Sequence, residues 1–330
     1  MTVAAFEGYD LIGDVHGCAV SLRMLLDRLG YRRQGGVYRH PSRQAIFVGD
    51  IVDRGPRIRE AVQLVRDMED AGAARIVMGN HEYNLLCYCT PGRPGSGMDY
   101  LRSHTPRHHR IIRETLGEYE NHPQERQEVL DWILQMPLFL ELDDFRVIHA
   151  CWPQALIDRF RAEYGGNRID ADFLHRSVET GSFEFELMDR ALRGTHLKLP
   201  DGEEIISKDG FRRRFFRTKF WAERPEYYAD VVFQPDPLPE HVARRRLRPG
   251  DRAALLRYGP DEKPLFIGHY WREGKPGPIT DNIACLDYSA VKWGKLVAYR
   301  FDHEKIIDPA KFVWVDVARE VPVSYSGGPS

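Results

Sequence analysis

At 330 residues the chain is long enough to bury a large core, which excludes a short peptide module. With 47 Lys+Arg against 49 Asp+Glu the formal charge is −2, so no whole-chain field argues for nucleic acid or membrane as an obligatory partner. No apolar run reaches the roughly 18 residues that a bilayer span needs. The first ten residues, Met1 to Asp10, lack the basic start and apolar run of a signal peptide, so a cytoplasmic location is expected. The five cysteines (Cys18, Cys87, Cys89, Cys151, Cys285) are odd in number and scattered, and they read as free thiols.

In chain order, Tyr9-Asp10-Leu11-Ile12 reads as a strand stopping at Gly13, and Leu22, Leu25, Leu26 and Leu29 recur at helical spacing before Gly30. The cycle repeats with a strand at Ala45–Val48 ending at Gly49, and with a helix begun near Pro56 whose face is Ile58, Ala61, Val62 and Val65. Arg75–Met78 then ends at Gly79. Three strands that each stop at Gly followed by polar residues predict a βαβαβ arrangement with functional side chains at the carboxyl ends of the strands. Further strands are expected at 145–148, ending at His149, and at 265–267, ending at Gly268-His269. A hairpin of 283–287 with 295–300 is expected around Lys292-Trp293-Gly294. The stretches at about 90–144 and 155–263 read as insertions carrying helices over the sheet edge. Residues 1–320 are thus expected to form one domain with these two insertions, and 321–330 a flexible tail.

Five segments place metal-ligand side chains just after the predicted strands: Gly13-Asp14-Val15-His16-Gly17, Gly49-Asp50-Ile51-Val52-Asp53-Arg54-Gly55, Gly79-Asn80-His81-Glu82, His149 and His269. Asp, Asn and His supply hard oxygen and borderline nitrogen donors. Asp14, His16, Asp50, Asn80, His149 and His269 are therefore candidates to hold two divalent cations close together, with Asp50 bridging. Such a pair acidifies a shared water and neutralises phosphoryl oxygens, as in-line attack on phosphorus requires.

The motifs GDVHG, GDIVDRG and GNHE, in this order and followed by a strand-His and a Gly-His, resemble those of the calcineurin-like metallophosphoesterases, in the PPP branch of serine/threonine protein phosphatases and diadenosine tetraphosphate hydrolases. The resemblance covers roughly residues 9 to 89, 145 to 152 and 265 to 301. It implies an α/β fold of two mixed β-sheets packed as a sandwich and flanked by helices, with the active site at the carboxyl ends of the strands. It also implies Asp14, His16 and Asp50 as ligands of one metal and Asp50, Asn80, His149 and His269 as ligands of the other. His81 is the implied general acid, Asp53 its orienting carboxylate and Arg54 a phosphoryl clamp. Manganese is the metal expected, with iron, zinc or nickel as alternatives. Two departures stand out. His149-Ala150-Cys151-Trp152 replaces the family's His-Gly-Gly, which bears on substrate shape near Trp152. A second phosphate-binding arginine does not align, Arg193 and Arg272 being the nearest guesses.

The expected function is metal-dependent hydrolysis of a phosphate ester, with a nucleotide or other small ester as substrate. A phosphoprotein phosphatase is the alternative within enzymes, and a non-catalytic binding protein on a phosphatase scaffold is the alternative outside them. The runs Arg212-Arg213-Arg214 and Arg244-Arg245-Arg246-Leu247-Arg248 read as solvated helical faces, with a rim for nucleotide or nucleic acid as the other reading. His104, His108, His109 and His122 read as solvated surface, and Cys87 and Cys89 as packing residues on the helix that carries His81.

Overall fold

A computed structural model describes residues 6–206, 212–233 and 238–318. The expected tail at 321–330 lies outside the described residues. Strands Gly8–Ile12, Arg43–Phe47 and Ala74–Ile76 run parallel, joined by the helices Ala19–Leu29 and Ile58–Asp70, as the periodicity predicts. The first helix buries Leu22, Leu25, Leu26 and Leu29 and stops at Gly30, whose φ of 93° is the left-handed cap a glycine supplies without strain. Lys295–Phe301 pairs antiparallel with Gly8–Ile12 and, on its other edge, with Phe312–Asp316, which makes this first sheet mixed. A second mixed sheet is ordered Ile283–Cys285, Leu265–Ile267, Arg146–Ile148, Phe139–Glu141.

The two sheets pack face to face. Because side chains alternate along a strand, Leu11, Ile46, Val48 and Val77 of the first sheet meet Val147, Phe266 and Ala284 of the second in one fully buried cluster. Ile12, Phe47 and Ile76, and on the other sheet Ile148, Ile267 and Cys285, point outward into the core that the helices cover. The fold is thus α/β, a sandwich of two mixed sheets flanked by helices.

The expected hairpin is corrected. Ile283–Cys285 lies in the second sheet, whereas Asp287–Tyr288 crosses to the first and pairs with Lys295 and Leu296. The crossing falls at Leu286, whose N–H bonds Ile267 O at 2.8 Å and whose carbonyl closes on Gly13, where a Cβ would stand 2.1 Å from it. A continuous apolar run reads as one strand because periodicity does not register which sheet each residue joins.

The first insertion contributes the helices Pro106–Glu118 and Pro123–Leu134 and, near its end, the strand Phe139–Glu141. In the second, the helices Gln154–Tyr164, Ala171–Arg176 and Phe183–Arg193 precede a hairpin of Thr195–Lys198 with Phe215–Thr218. Leu197, Leu199, Phe216, Tyr228, Val231 and Val242 build a small core of their own there. The helical reading of Arg212 to Arg214 is corrected: Arg212–Arg213 is strand, and Arg217 sits in the strand Phe215–Thr218. Arg244, Arg245, Arg246 and Arg248 follow the helix Glu240–Ala243 and are tied into ion pairs, with Arg245 and Arg248 both on Asp201.

Candidate active site

The loops after the strands meet at one end of the sandwich, and the backbone there is strained. His16, Asp50, Asp53, Arg54 and His269 have φ of 44°, 55°, 68°, 67° and 60°, a left-handed region that non-glycine residues enter rarely and at a cost of about 1–3 kcal/mol each. Two motif glycines make room for the carboxylates. A Cβ on Gly79 would lie 2.3 Å from Asp50 Oδ1, and one on Gly268 would lie 2.1 Å from Asp14 Oδ1.

All six candidate ligands come together. Asp50 is central: its Oδ2 stands 3.6 Å from His16 Nε2 and 3.4 Å from His149 Nε2, and its Oδ1 accepts from His81 N–H at 2.9 Å. His16 Nδ1 donates to Val52 O at 2.9 Å and His149 Nδ1 to Val48 O at 2.7 Å. A carbonyl can only accept, so each ring turns its Nε2 lone pair inward. Asn80 Oδ1 lies 3.0 Å from His149 Nε2 and 2.7 Å from His269 Nδ1. Asp14 Oδ2 accepts from His269 N–H at 3.3 Å.

Several features fit cations here. Two triads, His16/Asp50/His81 and Asp14/Asp50/His149, each bring ligand atoms within 4.8 Å of one another, and Asp50 belongs to both. Asp14 thus groups with His149, where the expected first set paired it with His16. Asp14 Oδ1 and His269 Nε2 are buried without a hydrogen-bond partner among the described residues. His149 Nε2 and Asn80 Oδ1 are two acceptors in contact, which something positive must separate. Burial lowers the affinity of His149 for a proton, but the Asp50 carboxylate outweighs it and holds the imidazole up at about 10, so without metal a proton takes the cation's place. Burial, then the facing carboxylate of Asp287, raise Asp14 well above the usual range.

His81 opens the helix Asn80–Cys89 and its Nδ1 lies 2.7 Å from Asp53 Oδ2. Asp53 Oδ1 accepts from the Thr115 hydroxyl, which in turn accepts from Asp53 N–H at 3.0 Å. Burial dominates both members of the pair, lowering His81 to about 3 against the pull of Asp50 and raising the Asp53 carboxyl. Arg54 is exposed and lines the cavity over the ligands, which has a volume of about 570 Å³.

Further residues stand at the site, of which Glu82, Asp287 and Lys292 were not foreseen there. Glu82, fully buried, accepts N–H groups from Asp50 at 2.7 Å, Ile51 at 2.7 Å, Val52 at 3.1 Å and Gly79 at 3.0 Å, and so fixes the loop that presents Asp50. Its sequence signal was the Gly-x-x-Glu spacing of a capping box at the start of a helix. Arg213, Arg217, Asp287 and Lys292 also line the cavity. The Arg217 guanidinium packs over the rings of Tyr270 and Phe233 at 5.7 and 6.0 Å, and no ion pair or side-chain hydrogen bond to a described residue occupies it. Arg193 and Arg272 are engaged elsewhere: Arg193 bonds Asn84 Oδ1 at 3.1 Å and Arg272 bonds Gly277 O at 2.9 Å. Trp152 is buried, with its Nε1 donating to Gln154 at 2.8 Å and Arg146 over its ring, and it does not line the cavity. The departure at the fourth motif is therefore a packing feature. His104 is exposed and stacked by Tyr88 and Tyr100, and His108, His109 and His122 stand apart from the ligand cluster.

A convergent donor set of this kind at the strand ends of a two-sheet sandwich defines a metallophosphoesterase, and the calcineurin-like phosphoesterase family matches residues 10–199; the chain belongs to that family. Such phosphoesterases use a dinuclear site of divalent metals. Among characterised relatives, the chain is 34% identical over 158 residues to the asymmetrical bis(5'-nucleosyl)-tetraphosphatase PrpE of Oceanobacillus iheyensis, a match over 46% of this chain and 58% of that protein. It is 24% identical over 301 residues to the symmetrical bis(5'-nucleosyl)-tetraphosphatase of Vibrio campbellii, covering 90% of this chain and 96% of that one. The match to the PrpE proteins spans well under two thirds of their length, 58% and 33% in two of them. A serine/threonine phosphatase structure from Saccharomyces cerevisiae aligns over 97% of this chain and 83% of its own, at 15% identity and a TM-score of 0.49.

Proposed function

We propose that the protein is a hydrolase of nucleotide phosphate esters and anhydrides that works with two divalent metals. The observation that carries this reading is the shared position of Asp50 between two donor triads, above which four cationic side chains line one cavity. The names of the relatives, tetraphosphatases acting on bis(5'-nucleosyl) compounds, favour a nucleoside polyphosphate over a phosphoprotein. The scaffold reading is disfavoured because His81, backed by Asp53, and Arg54 line the same cavity as the candidate ligands.

In this reading Asp14, His16, Asp50, Asn80, His149 and His269 would hold the two metals, with Asp50 standing in both donor groups and Asp14 beside His149. When bound, the pair acidifies water and neutralises phosphoryl oxygens. Arg54 and Arg217 grip the non-bridging oxygens, a task suited to a planar guanidinium fork. His81 would give a proton from Nε2 to the leaving oxygen, and the Asp53 carboxyl, whose hold on a proton burial strengthens, stands at Nδ1 to fix the ring pose and make up the charge as that proton departs. Asn and His beside carboxylates suit manganese, and the absence of any disulfide among the five cysteines suits the reducing cytoplasm. No helix among the described residues is long and apolar enough to cross a membrane.

The test is hydrolysis by the purified protein with added manganese, read for bis(5'-nucleosyl) tetraphosphate and ATP as the nucleotides formed on chromatography and for a phosphopeptide as phosphate released. Turnover of the nucleotides that disappears in Asp50→Asn is expected. A protein that binds manganese yet turns over none of the three would overturn the reading.

A further inference from the structure

Resting on the phosphoesterase reading above, we propose that Trp271 and Lys292 form a nucleobase-binding rim at the mouth of the active-site cavity, with the Trp271 indole as the stacking platform. A cavity of about 570 Å³ is of the size that encloses a small organic ligand, far more than one phosphoryl group fills. Most of its lining is ionic or strongly polar. Trp271 and Val291 are the lining residues with large apolar side chains, so the organic part of a substrate held at phosphorus has one region in which to bury apolar surface.

The rim is built from two anchored segments. Trp271 lies two residues after the candidate ligand His269, Tyr270 between them is fully buried, and Arg272 is pinned through its N–H to Asp287 O at 2.9 Å and through its guanidinium to Gly277 O. The indole is thus fixed to the ligand segment. Lys292 lies on a tight turn after Asp287, closed by Ser289 N–H to Asp287 Oδ1 at 2.8 Å and Lys292 N–H to Ser289 O at 2.8 Å. Two non-glycine residues of that turn, Ser289 and Trp293, hold left-handed φ of 56° and 61°. The turn places Lys292 Nζ 4.6 Å from the Trp271 ring centroid, a cation–π contact at the cavity edge.

A ligand that satisfies this rim carries anionic oxygens for the arginines and lysine and a flat π-face for the indole, which a nucleotide does. Aromatic stacking tolerates different bases, since each has a π-face, so the rim selects nucleotides as a class without choosing among bases.

The test uses hydrolysis-resistant phosphonate analogues of AMP and of ribose 5-phosphate, which differ only in the base, titrated calorimetrically into the full-length manganese-loaded protein. The AMP analogue is expected to bind about tenfold or more tightly. The ratio of the two dissociation constants should fall to near one in Trp271→Ala and be largely kept in Trp271→Phe. A wild-type ratio near one, an undiminished ratio in Trp271→Ala, or tighter binding of O-phosphotyrosine than of the AMP analogue overturns the assignment. If neither analogue binds and no nucleotide is hydrolysed, the phosphoesterase reading itself falls, and the rim with it.

Discussion

The Nδ1 atom of His81 lies 2.7 Å from Oδ2 of Asp53, and the other oxygen of that carboxylate is held by the hydroxyl of Thr115, a residue 62 positions away on a helix of the first insertion. The imidazole is therefore oriented by a relay of two side chains, one of which lies outside the matched motifs. Asp53→Asn should lower kcat by about 10²-fold or more on substrates with poor leaving groups, because an amide cannot balance the charge on the ring. Thr115→Val should cost about tenfold, the worth of one hydrogen bond to a charged group. Metal content, measured by atomic emission, should stay unchanged in both; a loss of metal instead would place the pair among the ligands.

Glu82 gathers four backbone N–H groups, including that of Asp50, around one buried carboxylate. Glu82→Gln sets an amide donor against N–H donors. It should lose at least about 2 kcal/mol of stability in urea titration and bind manganese about 10- to 100-fold more weakly, as loss of a group supporting a ligand usually does. A variant with unchanged metal affinity would reduce Glu82 to a helix cap.

Metal removal offers a sign test. Asp14, Asp50 and Asp287 line one cavity, three carboxylates beside the imidazole of His149, and Asp14 Oδ1 has no hydrogen-bond partner among the described residues. Chelation should lower the melting temperature of the wild-type protein, since metal binds the folded state preferentially. Asp14→Asn removes one of three crowded carboxylates, so the stripped variant should be more stable than the stripped wild type by about 1 kcal/mol, while gaining less from added manganese. Scanning calorimetry with and without chelator reads both. An Asp14→Asn protein that is less stable when stripped would show that the carboxylate is structural.

Glu141 gives a pH test away from the metals. Burial raises its pKa, but hydrogen bonds from Arg161 at 2.8 Å and Arg146 at 2.9 Å outweigh this and leave it below the ordinary glutamate value. A lowered folded-state pKa means that the stabilisation is fully present above the unfolded value and is lost as pH falls through the folded one. Wild type should exceed Glu141→Gln by about 1–2 kcal/mol at neutral pH, and the gap should close as the solution is acidified below about pH 4. A gap independent of pH would contradict the ionic origin.

The amino-acid sequence by itself determined the candidate ligand set and the strands that present it. Asp14, His16, Asp50, Asn80 and His81 follow predicted strands within a few residues, and His149 and His269 do the same downstream. Strand, turn glycine and ligand are local neighbours, so periodicity and residue type were sufficient to place them. The tertiary structure alone decided what surrounds that set. Thr115, Asp287 and Lys292 reach the site from the first insertion and from the carboxyl-terminal third, through contacts far apart along the chain that no local pattern marks, whereas Arg213 belongs to a basic run that the sequence offered as a rim without placing it. The same cause misled the reading of 283–287: its apolar run was plain, but its division between two sheets at Leu286 depends on packing against Gly13, some 270 residues earlier.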